Sequence, residues 1–281
     1  MCAAMATVDT LQSEARERPR MTVVAGLAAV FTLAGSLIGR IGSNAPNNLP
    51  AALLDYHKHP TAQYLSAACS VIAALLVAVL LDFLYRAVRA RNPQLPWQMR
   101  PLPWVGGIGV AGLVVGSQVA LAINAGHFAT HGSQTYEEAR KAIEAGVPPI
   151  LGLLFQLVFA LAIVMIAINA MRVGLFTRFL GYLGMVAGAL FLLPLVPIPI
   201  VQAYWLGALA MLFAGRLPNG TPPAWQSGEA MPWPSPAEQR EARVRAAEAR
   251  RGNGDGGDDA VEATASDAPA APAAKRKRKR R

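Results

Sequence analysis

From Gln63 to Leu84 the one charged residue is Asp82, and Met21–Gly39, Trp104–Ala125 and Ile150–Ala170 contain none. A bilayer's hydrocarbon core is roughly 30 Å thick, and a helix needs about 17 to 25 apolar residues to cross it. A backbone in lipid must satisfy its own N–H and C=O groups, so runs of this kind fold as helices. Two further segments, Phe179–Val196 and Ile198–Ala214, are apolar but shorter. Composition agrees: 53% of residues are hydrophobic and 15% charged, against about 25% charged in ordinary soluble domains. The expected fold class is therefore all-α. It is a polytopic membrane bundle of about six transmembrane helices followed by a disordered cytoplasmic tail.

The last two apolar segments share the turn Pro194-Leu195-Val196-Pro197-Ile198-Pro199. Proline removes a backbone donor and clashes with the preceding helical turn. The pair reads as a tight helical hairpin, with a single broken or re-entrant element as the alternative. Short loops rich in Lys and Arg stay in the cytoplasm. Arg16, Arg18 and Arg20, then Arg86, Arg89, Arg91 and Arg100, then Arg172 and Arg178 fall on one side of a six-span layout. Arg40, Lys58, Arg140 and Lys141 fall on the other, beside Asp55, Glu137, Glu138 and Glu144. The expectation is a bacterial inner (cell) membrane protein with both termini cytoplasmic. Residues 1–20 form a cytoplasmic segment, 21–216 the transmembrane domain and 217–281 a cytoplasmic tail. A cleaved leader ending near Ser43-Asn44-Ala45 is the competing reading of the first span.

All 4 histidines lie in the two outer loops: His57 and His59 in the first, His127 and His131 in the second. Imidazole is the commonest metal ligand, so these residues are candidate external metal ligands. Interfacial hydrogen bonding is the simpler role. Thr135-x-x-Glu138 is a capping box that starts a short helix ending before Gly146 and Pro148. The second half of the first loop forms another short amphipathic helix ending before Pro60.

Apart from Asp82 the polar residues inside the spans are neutral, with Gln118, Asn124 and Gln156 the candidates for function. Gln118 and Gln156 are deep enough to pair or to line a cavity. Packing amides between helices is the alternative, and Ser66, Ser70 and Gln202 read the same way. Asp82 and Arg86 are spaced i,i+4 and read as an interfacial ion pair. Gly35-x-x-x-Gly39, Gly112-x-x-x-Gly116 and Gly184-x-x-x-Gly188 permit close helix approach. The glycine-dense third span is expected at the centre.

The tail is Pro-rich from Leu217 to Pro236, with Trp225 and Trp233 expected at headgroup level. Ser235-Pro236-Ala237-Glu238 caps a short charged helix over 236–251. A disordered acidic stretch follows, and then Lys275, Arg276, Lys277, Arg278, Lys279, Arg280 and Arg281. Such a run near a membrane attracts anionic lipid headgroups, each cation contributing about 1 kcal/mol. No specific nucleic acid is expected, and the bilayer is the expected partner.

The Ala/Gly/Arg-rich composition, the segment Arg178-Phe179-Leu180-Gly181-Tyr182-Leu183-Gly184 and the basic low-complexity tail resemble uncharacterised multi-pass membrane proteins of high-GC actinobacteria. The resemblance spans roughly Met21 to Arg216. It implies no activity, no cofactor and no functional residue. The expected function is a non-enzymatic structural, assembly or sensing role in the membrane. A small-solute transporter or channel is the first alternative. A metal-binding protein using the outer histidines is the second.

Overall fold

The computed structural model describes residues 2–41, 48–58, 60–131, 134–146, 148–193, 199–217 and 220–231. In the tail it describes 238, 240, 241, 244–246 and 248. Among the described residues the fold is all-helical. Its elements are α1 (Cys2–Ile41), α2 (Leu49–Lys58), α3 (Pro60–Arg91), α4 (Leu102–His131), α5 (Tyr136–Glu144), α6 (Pro149–Arg172), α7 (Arg178–Leu192), α8 (Ile200–Phe213) and α9 (Ala224–Ser227). A 3₁₀ turn, Trp97–Met99, precedes α4. The chain divides into two units, 1–233 and 234–281. In the second, the described residues are helical, and Glu241 meets Arg245 at 3.6 Å.

Among the described residues four helices are long and apolar enough to cross a membrane: Leu11–Arg40, Pro60–Arg91, Trp97–His131 and Pro149–Arg172. The protein is a membrane-embedded helical bundle. The last two apolar segments form helices of 15 and 14 residues. At 1.5 Å per residue each spans about 21 to 22 Å, shorter than the segments read from sequence. All but Pro199 of the turn between them lies outside the described residues.

α1 is longer than the apolar run inside it. The helix continues back through Pro19 to Cys2, so residues 11–20 are a helical extension of the first span. Pro19 withdraws the donor that would serve the Ala15 carbonyl, and the apolar turns that follow propagate regardless.

The six larger helices pack as a closed ring in the order α1, α3, α4, α6, α7, α8 and back to α1, with α3 also touching α6 across it. Small residues set the approach distances. A Cβ on Gly106 would lie 2.7 Å from Phe159 Cα, and one on Gly107 2.7 Å from Ala78 Cβ. Gly184 faces Ala167 and Trp205, while Gly188 faces Val164 and the Ala160 carbonyl. A Cβ on Gly112 would meet nothing within 4 Å, so this glycine sets no helix approach among the described residues.

The centre is α3, not the glycine-dense α4. Half (50%) of the most apolar window of α3 faces inward, against 17% for α4. Ala78, Leu80, Leu81 and Leu84 are fully buried. The glycines of α4 give it a thin inner face, and its remaining surface carries exposed Val105, Ile108, Val115, Val119 and Ile123.

The ring has two unlike ends. One carries the arginines at the start of α1, the end of α3 and the α6–α7 connection, and is called the Arg-rich end. The other, the loop end, carries α2 and α5. There Leu53, Tyr56, Ala125, Phe128 and Ala139 form a small separate core.

Candidate binding cavity

Antiparallel α1 and α3 meet near the loop end through Gly35 and Gly39, whose missing side chains leave room for Ser66 and Ser70. Beside them is a half-open cavity of about 470 Å³ inside the ring. Every helix of the ring contributes to its wall. Polar groups cluster on one side: Thr32, Ser36 and Arg40 of α1, and Ser66 and Ser70 of α3. Gln202 of α8 is a further polar wall residue. Apolar groups form the remainder, chiefly Ala73, Val77, Val110, Phe159, Ile163 and Leu206. Arg40, in the last turn of α1, marks the loop-end rim.

Three of the wall hydroxyls donate their protons to backbone carbonyls. Ser66 Oγ donates to the Gly35 carbonyl at 2.6 Å, and Ser70 Oγ to the Ser66 carbonyl at 2.9 Å. Thr32 Oγ1 donates to the Ala28 carbonyl at 2.7 Å. A hydroxyl has one proton, so these three groups offer the cavity acceptor lone pairs. A mostly apolar pocket of this size with a few placed polar groups is the usual form of a small-molecule site.

The Arg-rich end is closed by a segment from beyond α8. Pro222 and Pro223 turn the chain into α9, and Gly228, with φ +74°, turns it out again. Between them Trp225 is 3% exposed. Its ring stacks on Phe83 at 6.2 Å between centroids and meets Phe213 edge-on at 6.0 Å. Its Nε1 donates to the Leu175 carbonyl at 2.9 Å. The guanidinium carbons of Arg18 and Arg91 lie 4.5 and 5.3 Å from its ring centroid. Arg18 also donates to the Trp225 carbonyl at 2.7 Å, and Arg91 Nε to the Ala224 carbonyl at 2.9 Å. Trp225 thus sits in the protein interior rather than on an exposed surface. Indole's flat apolar body and single donor suit it to a buried pocket with one carbonyl at its edge.

Gln118, Asn124 and Gln156 do not come together, and none of them lines the ring cavity. Gln118 Oε1 accepts from Tyr56 Oη at 2.8 Å. Asn124 Nδ2 donates to the Ala142 carbonyl at 2.7 Å. Both amides pin outer helices to α4, and Gln156 is exposed on α6. Burial pushes the Tyr56 phenol above its ordinary pKa, and Tyr64 pushes it further the same way.

His127 and His131 stand one turn apart on α4 with ring centroids 5.3 Å apart. His131 Nδ1 lies 2.6 Å from Thr130 Oγ1. His57 is exposed in the last turn of α2, and His59 lies outside the described residues. Among the described residues no group of three or more His, Cys, Asp or Glu is placed to hold a metal ion. Asp82 does meet Arg86 at 3.2 Å, and also Arg100 at 3.8 Å. Trp233 and Lys275 to Arg281 lie outside the described residues.

Sequence reasoning named Ser66, Ser70 and Gln202 as packing residues and missed that they share a cavity wall. The available signal was the facing pair of small-residue stretches, Gly35 to Gly39 and Ser66 to Ala74, which leave unfilled volume. It missed Glu14 altogether, which pairs with Arg91 beneath α9. Comparison with family models, curated proteins and solved structures finds no match to the chain.

Proposed function

We propose that this is a bacterial cell-membrane protein that crosses the bilayer six times, with both termini in the cytoplasm. It acts without covalent chemistry, by holding a small molecule in its ring cavity as a membrane sensing or assembly component. The observation that carries this reading is the cavity of about 470 Å³, placed toward the loop end, with the far end closed by Trp225.

The sixfold count is supported by the ring itself. α7 and α8 close it by packing alongside α6 and α1, two helices of full membrane length. Short spans are accommodated by local thinning of the bilayer and by their flanking residues. The cytoplasmic placement of the Arg-rich end follows the positive-inside bias. The basic run Lys275 to Arg281 would add attraction to anionic lipid on that side.

Single cysteines test topology and cavity together, in a chain with Cys2 and Cys69 replaced by serine. Cysteines at Ser133 and Ser227 should react with a membrane-impermeant maleimide from opposite sides. A cysteine at Ser70 should react with a small charged methanethiosulfonate added from the outside. Same-side labelling of the first pair refutes six spans, and an inert Ser70→Cys refutes an open cavity.

A transporter is the second reading. It is favoured by a cavity open toward one end and shut at the other by contacts between separate chain segments, the arrangement alternating access requires. Uptake of a bound ligand into proteoliposomes distinguishes it from sensing.

A further inference from the structure

At the Arg-rich end a second cavity opens at the surface, between the end of α3 and the start of α4. Its volume is about 620 Å³, and Asp82, Arg89, Trp97, Arg100, Pro101 and Trp104 line it. Its basic groups are held in place from beneath. Tyr85 is 1% exposed. Its Oη donates to the Pro96 carbonyl at 3.2 Å and accepts from Arg89 Nη1 at 2.9 Å. One buried oxygen therefore ties the connector that carries Trp97 and Arg100 to the guanidinium of Arg89. Arg100 Nε lies 3.8 Å from Asp82 Oδ1. Among the described residues neither arginine has a further partner, so Nε and Nη2 of Arg89 and both Nη groups of Arg100 remain as donors. Guanidinium groups bind phosphate oxygens through pairs of parallel N–H donors.

Charge restricts the anion. Arg86 pairs with Asp82 at 3.2 Å and with Glu17 at 3.3 Å. With Arg89 and Arg100, three arginines face two carboxylates, which leaves one positive charge in excess. A phosphodiester brings one negative charge and matches it. A phosphomonoester brings about −1.5 to −2. A zwitterionic headgroup would add a cation to a cluster that already has one too many.

The surroundings separate a lipid from a soluble phosphate. Trp97 and Trp104 are 66% and 37% exposed, and exposed indoles settle at headgroup level. From Trp104 an apolar stripe runs along α4 through Val105, Ile108, Val115 and Val119, all exposed. Their spacing puts them on one helix face. Gly112 shares that face, with nothing within 4 Å of where its Cβ would be. Further on, Val115 and Val119 enter an open groove of about 550 Å³ that α4 forms with Ala67, Ala68 and Val71 of α3. An acyl chain hanging from a phosphate at the arginines would lie on this track.

We propose that the cavity between α3 and α4 at the Arg-rich end binds one anionic phospholipid, its phosphodiester held by Arg89 and Arg100 and an acyl chain laid along α4. The site is separate from the ring cavity, and its test does not depend on what the ring cavity holds.

The full chain, delipidated in mild detergent, is titrated with palmitoyl-oleoyl phosphatidylglycerol and followed by native mass spectrometry. The first phosphatidylglycerol should bind more tightly than those that follow, and more tightly than phosphatidylcholine or phosphatidylethanolamine with the same chains. Arg89→Gln combined with Arg100→Gln should weaken that first event about tenfold. Arg172→Gln combined with Arg178→Gln removes equal charge elsewhere at the same end and should change it by less than about twofold. Melting temperatures in lipid-free detergent check that both variants fold. A diazirine in the acyl chain of the same lipid should label α4 between Trp104 and Val119, which reads the site in the wild-type protein without any substitution. Equal weakening in the two double variants overturns the site, since bulk charge then accounts for binding. Equal affinity for phosphatidylcholine overturns the anionic headgroup. Displacement by equimolar glycerol 3-phosphate or inorganic phosphate assigns the arginines to a soluble phosphate and overturns the lipid. Label confined to helices other than α4 overturns the placement of the chain.

Discussion

Arg91 and Glu14 form a two-pronged ion pair in which Nη1 and Nη2 each reach one carboxylate oxygen, at 2.7 and 2.8 Å. Their side chains are 1% and 9% exposed. The pair joins the extension of α1 to the end of α3, directly beneath α9. Removing one partner from such a pair leaves an uncompensated buried charge and costs about 3 to 5 kcal/mol. Glu14→Gln should destabilise the protein by that amount in a denaturant titration in mild detergent. The double substitution to methionine at both positions should recover most of the loss, because the desolvation cost disappears with the charges. Asp82→Asn serves as the comparison. Its partner Arg86 is 46% exposed, so the loss should be at most about 1 kcal/mol. Equal effects at the two sites would show that the Arg91 pair is solvated.

Trp225 anchors α9 by packing, by its indole donor and by two guanidinium groups at once. Trp225→Ala should cost about 3 to 5 kcal/mol, the range for deleting a large buried aromatic. It should also release the segment after α8, so that trypsin cuts at the exposed Arg216 faster than in the wild type. Trp225→Phe keeps the stack on Phe83 and loses the bond to the Leu175 carbonyl. That exposes one unsatisfied acceptor, worth about 1 to 3 kcal/mol, and protection of Arg216 should be partly retained. Unchanged cleavage in Trp225→Ala would mean that the segment is held by something other than its tryptophan.

Local signals in the chain were readable and distant ones were not. The four long helices follow from apolar runs with at most one charge, because lipid leaves the backbone no other choice. Thr135 caps α5 by accepting from the Glu138 amide at 3.4 Å, three residues away, and Asp82 meets Arg86 one turn on. Each partner there is fixed by helical geometry alone. Glu14 and Arg91 are 77 positions apart, and Arg91 and Ala224 are 133 apart. No periodicity connects them, so the arginine read only as a topology signal and Trp225 as an interfacial anchor. Gln118 was legible as a hydrogen-bonding amide but not its partner, Tyr56, on a loop helix. The cavity was hardest to see, since it consists of what Gly35, Gly39 and Ala73 fail to fill. The expected centrality of α4 failed because glycine density records how closely one face approaches a neighbour, not how many faces are covered.

Glycines of one helix should therefore differ sharply in tolerance. Gly106→Ala drives a methyl group against the Phe159 backbone, 2.7 Å from an ideal Cβ. Backbone cannot rotate aside as a side chain can, so α4 and α6 must separate, at about 1 to 3 kcal/mol. Gly112→Ala meets nothing within 4 Å and should be neutral or stabilising by about 0.5 to 1 kcal/mol through helix propensity. Melting temperatures of the two variants in one detergent decide the matter. A costly Gly112→Ala would reveal a contact made by this face outside the chain, as in a dimer.

The Tyr56 phenol gives the loop end a pH dependence of known sign. Its folded-state pKa is raised, first by burial and then by Tyr64, so the folded protein holds this proton more tightly than the unfolded chain does. Stability from this source is complete below the unfolded value of about 10. It is lost as pH rises from there through the higher folded value, because unfolding then releases a proton. Wild-type protein should lose melting temperature between pH 9 and 11 more steeply than Tyr56→Phe. The comparison between the two proteins isolates this group from the other tyrosines and the lysines titrating in the same window. Below about pH 9 the variant should be weaker by about 1 kcal/mol, the net value of the lost hydrogen bond to Gln118. Parallel pH profiles would mean that the phenol is solvated and that α2 is not held to α4 through it.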